Sequence, residues 1–141
     1  MASETVTRED LKNVLNKVLP SAVVDHVVEE GTSGIWTYRK WNSGIAECWG
    51  EVSKSTTFSV WTSPMYYGVT YTGHQTYPTD LFSEVPDLYV SLKHCGCDAW
   101  LSKSSGFATK TETPSYYPIK VASASGSISY TVSFHAIGKW K

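Results

Sequence analysis

The sequence lacks two features that would point to common classes of partner. No stretch approaches the ~20 consecutive apolar residues that span a bilayer, so no membrane insertion is predicted. The formal net charge is -1, from 12 Lys and Arg against 13 Asp and Glu, and the basic residues form no block. Nucleic acid is therefore not a predicted partner. The first residues show no basic region followed by an apolar one, so no signal peptide is predicted and synthesis in the cytoplasm is expected.

Cysteine is scarce, and familiar catalytic motifs are missing. The three cysteines are an odd number, and Cys95-Gly96-Cys97 is too tightly spaced for ordinary disulfide geometry, so all three are predicted to be reduced thiols. Zinc sites usually leave at least two residues between cysteines. No metal or other cofactor is therefore predicted; the alternative is a zinc site with ligands from His94, Cys95, Cys97 and Asp98. No GxSxG, HExxH or P-loop occurs, and the protein is predicted not to be an enzyme.

Aromatic residues, by contrast, are plentiful. They make up 13% of the 141 residues, with six Trp and nine Tyr, while the hydrophobic share of 41% is that of an ordinary globular protein. A chain of this length forms one domain with its own core. The surplus of rings predicts that some of them lie at the surface or in an interface between chains.

An amphipathic pattern at the start predicts a helix from Thr7 to Leu19. Thr7 is a suitable N-cap, and Asp10 lies three residues later, where a capping box has its acid. The apolar stripe of this helix comprises Leu11, Val14, Leu15 and Val18. A helix this short is marginal alone in water, so the stripe should pack on the sheet of its own chain or on copies of itself. We favour copies, which makes residues 1–21 a stem for oligomerisation.

The remainder, residues 22–141, predicts strands and no further helix. The clearest part is a hairpin over residues 34–52 with its turn at Asn42-Ser43-Gly44, where glycine supplies a positive φ. The register then sets Arg39 opposite Glu47, and alternation separates a core-like face from an aromatic one. The core-like face comprises Trp36, Tyr38, Ala46, Cys48 and Val52. The aromatic face carries Arg39, Trp41, Glu47 and Trp49.

Other segments complete an all-β pattern. We predict a strand over residues 22–29 with a break near Asp25-His26, a loop over 30–34, and a polar turn over 123–127. The last strand, from Ile128, has the cleanest alternation, with Tyr130, Val132 and Phe134 on one face. Strands separated by short turn signals favour a mainly β fold, an antiparallel jelly-roll-like β-sandwich with a short N-terminal helix.

Three groups of residues combine rings with hydrogen-bonding side chains, as polar ligands such as sugars require. One is the aromatic face of the hairpin, whose two tryptophans are alternatively plain core or interface residues. The other two are loop clusters, and loops often carry recognition. They comprise His74, Gln75, Tyr77 and Asp80 in the first, and Lys93, His94, Asp98 and Trp100 in the second.

A catalytic alternative rests on two carboxylates of the hairpin. Glu47 and Glu51 share one strand face at a spacing that could serve a glycosidase pair. Against this, Arg39 is placed to neutralise Glu47.

Three segments together resemble a known family. They are GIWTYRKWNSGIAECWG (residues 34–50), LFSEVPDLYVSL (81–92) and SFHAIGKWK (133–141). The combination is similar to the C-terminal receptor-binding head domain of tail-fibre or baseplate proteins from siphophages and prophages of Gram-positive bacteria. The resemblance covers the chain from about Val27 to its end. Binding loops differ among such heads, so no binding residue carries over.

The resemblance implies a jelly-roll-like sandwich that assembles as a homotrimer on the tail of a virion, after synthesis in the bacterial host cytoplasm. It implies a non-enzymatic protein that attaches the particle to host cell-surface polysaccharide and contacts other tail or baseplate proteins. It also implies that an N-terminal helix can belong to the stem of the trimer. Two alternatives remain open: a purely structural tail or baseplate subunit, and a tail enzyme that degrades the cell wall.

Overall fold

A computed structural model describes residues 5–18, 24–104 and 106–141. Within these ranges no helix is both long enough and apolar enough to cross a membrane. The elements are one helix, α1 (Arg8–Val18), and nine strands: β1 (Val27–Ser33), β2 (Trp36–Trp41), β3 (Ile45–Phe58), β4 (Val60–Thr62), β5 (Met65–Tyr67), β6 (Asp87–Cys95), β7 (Trp100–Lys103), β8 (Tyr116–Lys120) and β9 (Ala124–Lys139).

Helix α1 begins with the predicted capping box. The Asp10 amide donates to Thr7 Oγ1 at 3.1 Å, and the Thr7 amide donates to Asp10 Oδ2 at 2.9 Å, so two otherwise unpaired donors are satisfied. The Thr7 hydroxyl, which donates to Asp10 Oδ2 at 2.6 Å, lowers the pKa of the Asp10 carboxyl, and the bond from the Thr7 amide lowers it further. Three residues of the predicted stripe, Leu11, Val14 and Leu15, are each more than half exposed. The side chain of Val18, and Leu19, lie outside the described residues.

The strands form two antiparallel sheets, which confirms the predicted mainly β sandwich. One sheet has five strands in the order β1-β2-β3-β9-β6, and the other has four in the order β4-β5-β8-β7. The two longest strands, β3 and β9, lie side by side in the five-stranded sheet. The chain passes from one sheet to the other between Phe58 and Val60.

The β2–β3 hairpin has the predicted turn and register. Gly44 has a φ of +96°, and its amide donates to the Trp41 carbonyl at 3.0 Å. Arg39 is the partner of Glu47, as predicted. The turn chemistry alone therefore fixed which side chains face each other.

Two segments predicted as loops are strands. Residues 30–33 belong to β1, and the turn that follows is Gly34-Ile35, with Gly34 at a φ of +60°. Gly31 suits this strand because the phenol ring of its partner Tyr38 lies against it, where a Cβ would be 2.9 Å from the Tyr38 hydroxyl. At the other end, β9 already begins at Ala124, whose partner is Phe58 on β3, so the predicted turn over 123–127 is wrong.

The start of β1 also differs from the prediction. The strand begins at Val27 and not near residue 22. Residues 24–26 precede it without regular structure, and residues 22 and 23 lie outside the described ranges.

The core lies between the two sheets and is lined by the alternating inner residues of β9. Tyr130, Val132, Phe134 and Ala136 are each at most 1% exposed, which confirms the predicted face of the last strand. Residues of the segment 72–82 cover this face from the other side, together with Leu101 and Tyr116 of the four-stranded sheet. The segment is tied down by Trp36, whose indole Nε1 donates to the Thr76 carbonyl at 2.7 Å.

Candidate functional site

The outer side of the five-stranded sheet brings together rings and charged groups from four strands. Trp49 on β3 is the direct partner of His135 on β9, and His135 is the direct partner of Tyr89 on β6. Because directly paired residues project from the same face of a sheet, these three rings form one row across the sheet. Arg39 and Glu47 form the next row. We call these five residues the outer-face site: Arg39, Glu47, Trp49, Tyr89 and His135.

The polar groups of the outer-face site are joined by short contacts. His135 Nε2 lies 2.9 Å from Glu47 Oε2, with the carboxylate side chain 18% exposed and the imidazole 46% exposed. The guanidinium carbon of Arg39 lies 5.1 Å from the centre of the Trp49 ring, within range of a cation–π interaction. Arg39, Glu47, Trp49 and His135 line a shallow depression of about 280 Å³.

The predicted Arg39–Glu47 ion pair is not formed, although the two residues are register partners. Arg39 Nε instead lies 3.8 Å from Glu30 Oε2 on the neighbouring β1, and its guanidinium covers Trp49. Glu47 instead contacts His135, because β9 pairs with β3 and places this side chain next to the carboxylate. The physical reason is the five-stranded order, which offers each of these side chains a second cross-strand neighbour that the isolated hairpin does not have.

Two further residues of the hairpin face have different surroundings. Trp41 ends β2, is half-buried and is not among the residues that line the depression; its carbonyl accepts the indole N–H of Trp140 at 2.9 Å. Glu51 forms a salt bridge with Lys93 of β6. The two carboxylates of the catalytic alternative, Glu47 and Glu51, are thus each bonded to a basic side chain.

Hydroxyl groups continue the outer face beyond the aromatic row. Ser53 and Thr131 pair at 2.8 Å between their hydroxyl oxygens, and Ser55 and Ser129 pair at 3.2 Å. These residues border a second depression, of about 690 Å³, whose lining includes His94. From Trp49 to Ser55 the strand advances about 20 Å at its usual rise per residue. The face therefore presents a long polar track, with rings at one end.

The first predicted loop cluster is mostly committed to internal contacts. His74 Nδ1 lies 2.8 Å from the Thr113 carbonyl, and Gln75 Nε2 donates to the Thr72 carbonyl at 2.9 Å. Tyr77 is 4% exposed and packs between Trp36 and Phe82, so its ring is part of the core. It also lines the depression that Asp80 borders, and its role as a ligand contact stays a prediction.

The fourth residue of that cluster lies apart from the first two. Asp80 is exposed and borders a depression of about 210 Å³ with Lys110 and Thr111. Neither His74 nor Gln75 lines that depression.

The second predicted cluster is divided between the two sheets. Lys93 and His94 lie on the outer face of the five-stranded sheet, next to a bulge in β6. Asp98 and Trp100 instead line a depression of about 560 Å³ with Lys120. Trp100 is 56% exposed.

Sequence reasoning missed His135 and Tyr89. Alternation in the last strand does assign His135 to the polar face, and the same pattern in β6 gives an exposed Tyr89. Only the strand order β3-β9-β6, which joins distant parts of the chain, places the two rings beside Trp49. A second missed feature is a tyrosine cluster beside the four-stranded sheet. Tyr117 lies 5.5 Å from Tyr67 and 4.9 Å from Tyr71 between ring centres.

The architecture and the outer-face site together define a β-sandwich that carries an exposed aromatic and polar sheet surface. Among solved structures, the fold matches the N-truncated R1-type pyocin tail fiber with a TM-score of 0.50 and 12% sequence identity, over 98% of this chain and 99% of that chain. An N-truncated R2-type pyocin tail fiber aligns with a TM-score of 0.46 and 16% identity, over 96% of this chain and 44% of that chain.

No protein-family model matches the sequence, and no curated protein matches it significantly. At 12% identity, the likeness to the R1-type fiber establishes a shared fold. It does not bear on siphophage origin or a Gram-positive host, which stay predictions.

Proposed function

We propose that this chain is a receptor-binding domain of a phage tail or a phage-tail-like particle, and that it binds host cell-surface polysaccharide without catalysing a reaction. The observation that carries this proposal is the row of Trp49, His135 and Tyr89 with Glu47 beside it. The fold shared with a pyocin tail fiber supports the tail assignment. The protein would be made in the host cytoplasm and carried on the tail of the particle.

The outer face of the five-stranded sheet is open to solvent, and such a surface suits an extended glycan better than a deep pocket does. Sugar rings have apolar faces that stack on aromatic rings, and hydroxyls that need directed hydrogen bonds. Tyr89 is 61% exposed and offers an open ring, while the Glu47 carboxylate and the His135 imidazole supply polar groups beside it. Each hydroxyl pair of the polar track keeps unused donor or acceptor capacity, because a hydroxyl has one donor and two acceptor positions.

Assembly as a homotrimer is part of the proposal. The stripe of Leu11, Val14 and Leu15 is more than half exposed on α1. An amphipathic helix of this length is stable only when its apolar stripe is covered. Two further copies of the helix, packed around a common axis, would cover it as the stem of a trimeric fibre.

The binding test begins with a glycan array and continues by titration calorimetry on the glycans that bind. Tyr89→Ala and His135→Ala should each weaken binding, by roughly tenfold for the loss of one ring contact. Trp61→Ala is the matched control, because Trp61 is 53% exposed but lies on the four-stranded sheet. Circular dichroism on each variant confirms that the sheet is retained.

Three results would contradict the proposal. A silent array across host polysaccharides would favour a purely structural subunit, for which the partly exposed tyrosine cluster beside the four-stranded sheet would be a contact surface. Binding that survives both outer-face substitutions but not Trp100→Ala would move the site to the depression lined by Asp98, Trp100 and Lys120. Turnover of purified host wall that disappears in Glu47→Gln would identify a cell-wall-degrading enzyme.

A further inference from the structure

The pair Cys95 and Cys97 lies where the chain leaves the five-stranded sheet. Cys95 is the last residue of β6, and Cys97 follows in a bend before β7 begins at Trp100. The two sulfur atoms are 3.6 Å apart, which is contact distance, and both side chains are half-buried. The structure thus sets two free thiols side by side in spite of their tight spacing in sequence.

The backbone holds this arrangement in place. The Gly96 amide donates to the Ser129 carbonyl of β9 at 3.0 Å. A Cβ at Gly96 would lie 3.2 Å from Ile128 Cγ2, tighter than usual, so the small residue lets the turn lie close against β9. Because the turn is fixed from the β9 side, the two thiols are already positioned before any reaction. An S–S bond is about 2.05 Å long, so the sulfurs must approach by roughly 1.5 Å, mostly by side-chain rotation.

We propose that Cys95 and Cys97 are a reversible dithiol site, which closes to an intramolecular disulfide when the protein meets a low-molecular-weight disulfide such as oxidised glutathione. One protein thiolate attacks the small disulfide, forming a mixed disulfide and releasing one small thiol. The second protein thiolate then displaces the other small thiol. The protein gives up two electrons and two protons, and the small disulfide is reduced to two thiols, so the exchange balances.

Burial raises the pKa of the Cys95 thiol, which lowers the share of Cys95 that is present as the reactive thiolate. The third thiol, Cys48, cannot take part, because it is 0% exposed and burial raises its pKa to about 12. It serves as a reference thiol within the same molecule.

The closed form would be strained, and it would affect the neighbouring segment. A disulfide between residues separated by one residue closes a ring of about eleven atoms, which departs from relaxed disulfide geometry. Strain of this kind makes a disulfide easier to reduce. Closure would also restrict the backbone between Cys95 and Cys97, directly before Asp98 and Trp100, which line a depression with Lys120. The protein would thus be a dithiol in a reducing cytoplasm and a disulfide outside the cell.

The test equilibrates the purified full chain with glutathione buffers that range from fully reduced to fully oxidised, then alkylates free thiols under denaturing conditions and measures intact mass. In oxidised buffer the wild type should lose the mass of two hydrogen atoms and keep a single alkylatable thiol, Cys48. Excess reduced glutathione should restore all three thiols. Cys48→Ala should behave like the wild type, apart from the thiol it lacks.

The single variants decide between an internal bond and ordinary surface oxidation. Cys95→Ser and Cys97→Ser cannot close the ring, so each should retain a glutathione adduct or stay unmodified. The proposal is overturned if the oxidised wild type carries persistent glutathione adducts or forms disulfide-linked dimers, with no internally bridged peptide. It is equally overturned if all three thiols remain alkylatable in oxidised buffer.

Discussion

Two buried tyrosines offer a sharp comparison, because one hydroxyl is hydrogen-bonded and the other is not. Tyr130 is 1% exposed, and its hydroxyl donates to the Thr70 carbonyl at 2.7 Å. Tyr77 is 4% exposed, and within the described part of the chain no partner lies in hydrogen-bonding distance of its hydroxyl. Replacing each with phenylalanine removes the same single atom from nearly the same degree of burial. The ring contacts stay, so the difference isolates the hydrogen bond.

The two substitutions should affect the free energy of unfolding differently. A hydrogen bond contributes about 0.5–1.5 kcal/mol net, and a buried group left without its partner loses about 1–3 kcal/mol. Tyr130→Phe should therefore lower the free energy of unfolding by about 1–2 kcal/mol. Tyr77→Phe relieves an unpaired buried hydroxyl, so it should leave that free energy unchanged or raise it by up to about 1 kcal/mol.

The assay is urea unfolding of both variants and the wild type, followed by far-ultraviolet circular dichroism at one fixed protein concentration. A common concentration is needed because association of copies shifts apparent stability by mass action. The midpoint should move to lower urea for Tyr130→Phe, with an unchanged slope, and should not do so for Tyr77→Phe. Glycan binding should be unaffected by Tyr77→Phe, because the ring faces the core.

An equal loss of stability in the two variants would refute this reasoning. It would mean that the Tyr77 hydroxyl contributes as much to the fold as the bonded hydroxyl of Tyr130. A loss of glycan binding in Tyr77→Phe with unchanged stability would instead support the prediction of Tyr77 as a ligand residue.

Three further predictions concern the strand packing, the response to alkali and the stem. Gly50→Ala should lower the free energy of unfolding by at least about 2 kcal/mol in urea unfolding, because its Cβ would overlap the Ile35 carbonyl oxygen. Gly126→Ala, where nothing lies within 4 Å of the added Cβ, is the control and should be near neutral. Equal effects of the two substitutions would contradict this account of the packing. Burial raises the pKa of Tyr130 from 10.0 to about 12, so the folded state keeps the phenol proton to higher pH than the unfolded state does. The free energy of unfolding should therefore fall as pH rises through that interval. A urea midpoint that falls just as steeply in Tyr130→Phe would show that Tyr130 is not the cause. Leu15→Asp should abolish oligomers in light scattering while circular dichroism of the sheet persists; equal loss of both signals would contradict a separate stem.

Local signals were enough to predict the hairpin and the last strand. The Asn42-Ser43-Gly44 turn determines its own register, and alternation in β9 separates Phe134 from His135 whatever lies next to the strand. The helix start was equally local, since the bonds between Thr7 and Asp10 span three residues. Each of these features depends on neighbours in the sequence.

The features that were missed depend on cross-strand partners that the local pattern does not show. Gly31 favours a loop when read alone, but in the structure it pairs with Tyr38, whose ring lies against it. Tyr77 resembles a loop residue because polar and turn-forming residues surround it, yet Trp36 anchors that segment and draws the ring into the core. The Glu47–His135 contact joins residues 88 apart, so it could not be found before the strand order was known.

The position of β9 has a consequence for how the domain forms. This strand lies between β3 and β6 although it follows both in the chain, and its contact between Ser129 and Ser55 of β3 joins residues 74 apart. Ladders of such high contact order close late and fold on a scale of roughly milliseconds to seconds. Until then the long edge of β3 stays open to any matching strand. In the proposed trimer, copies joined through α1 would therefore risk exchanging β9, unless each chain first paired its own β9 with its own β3.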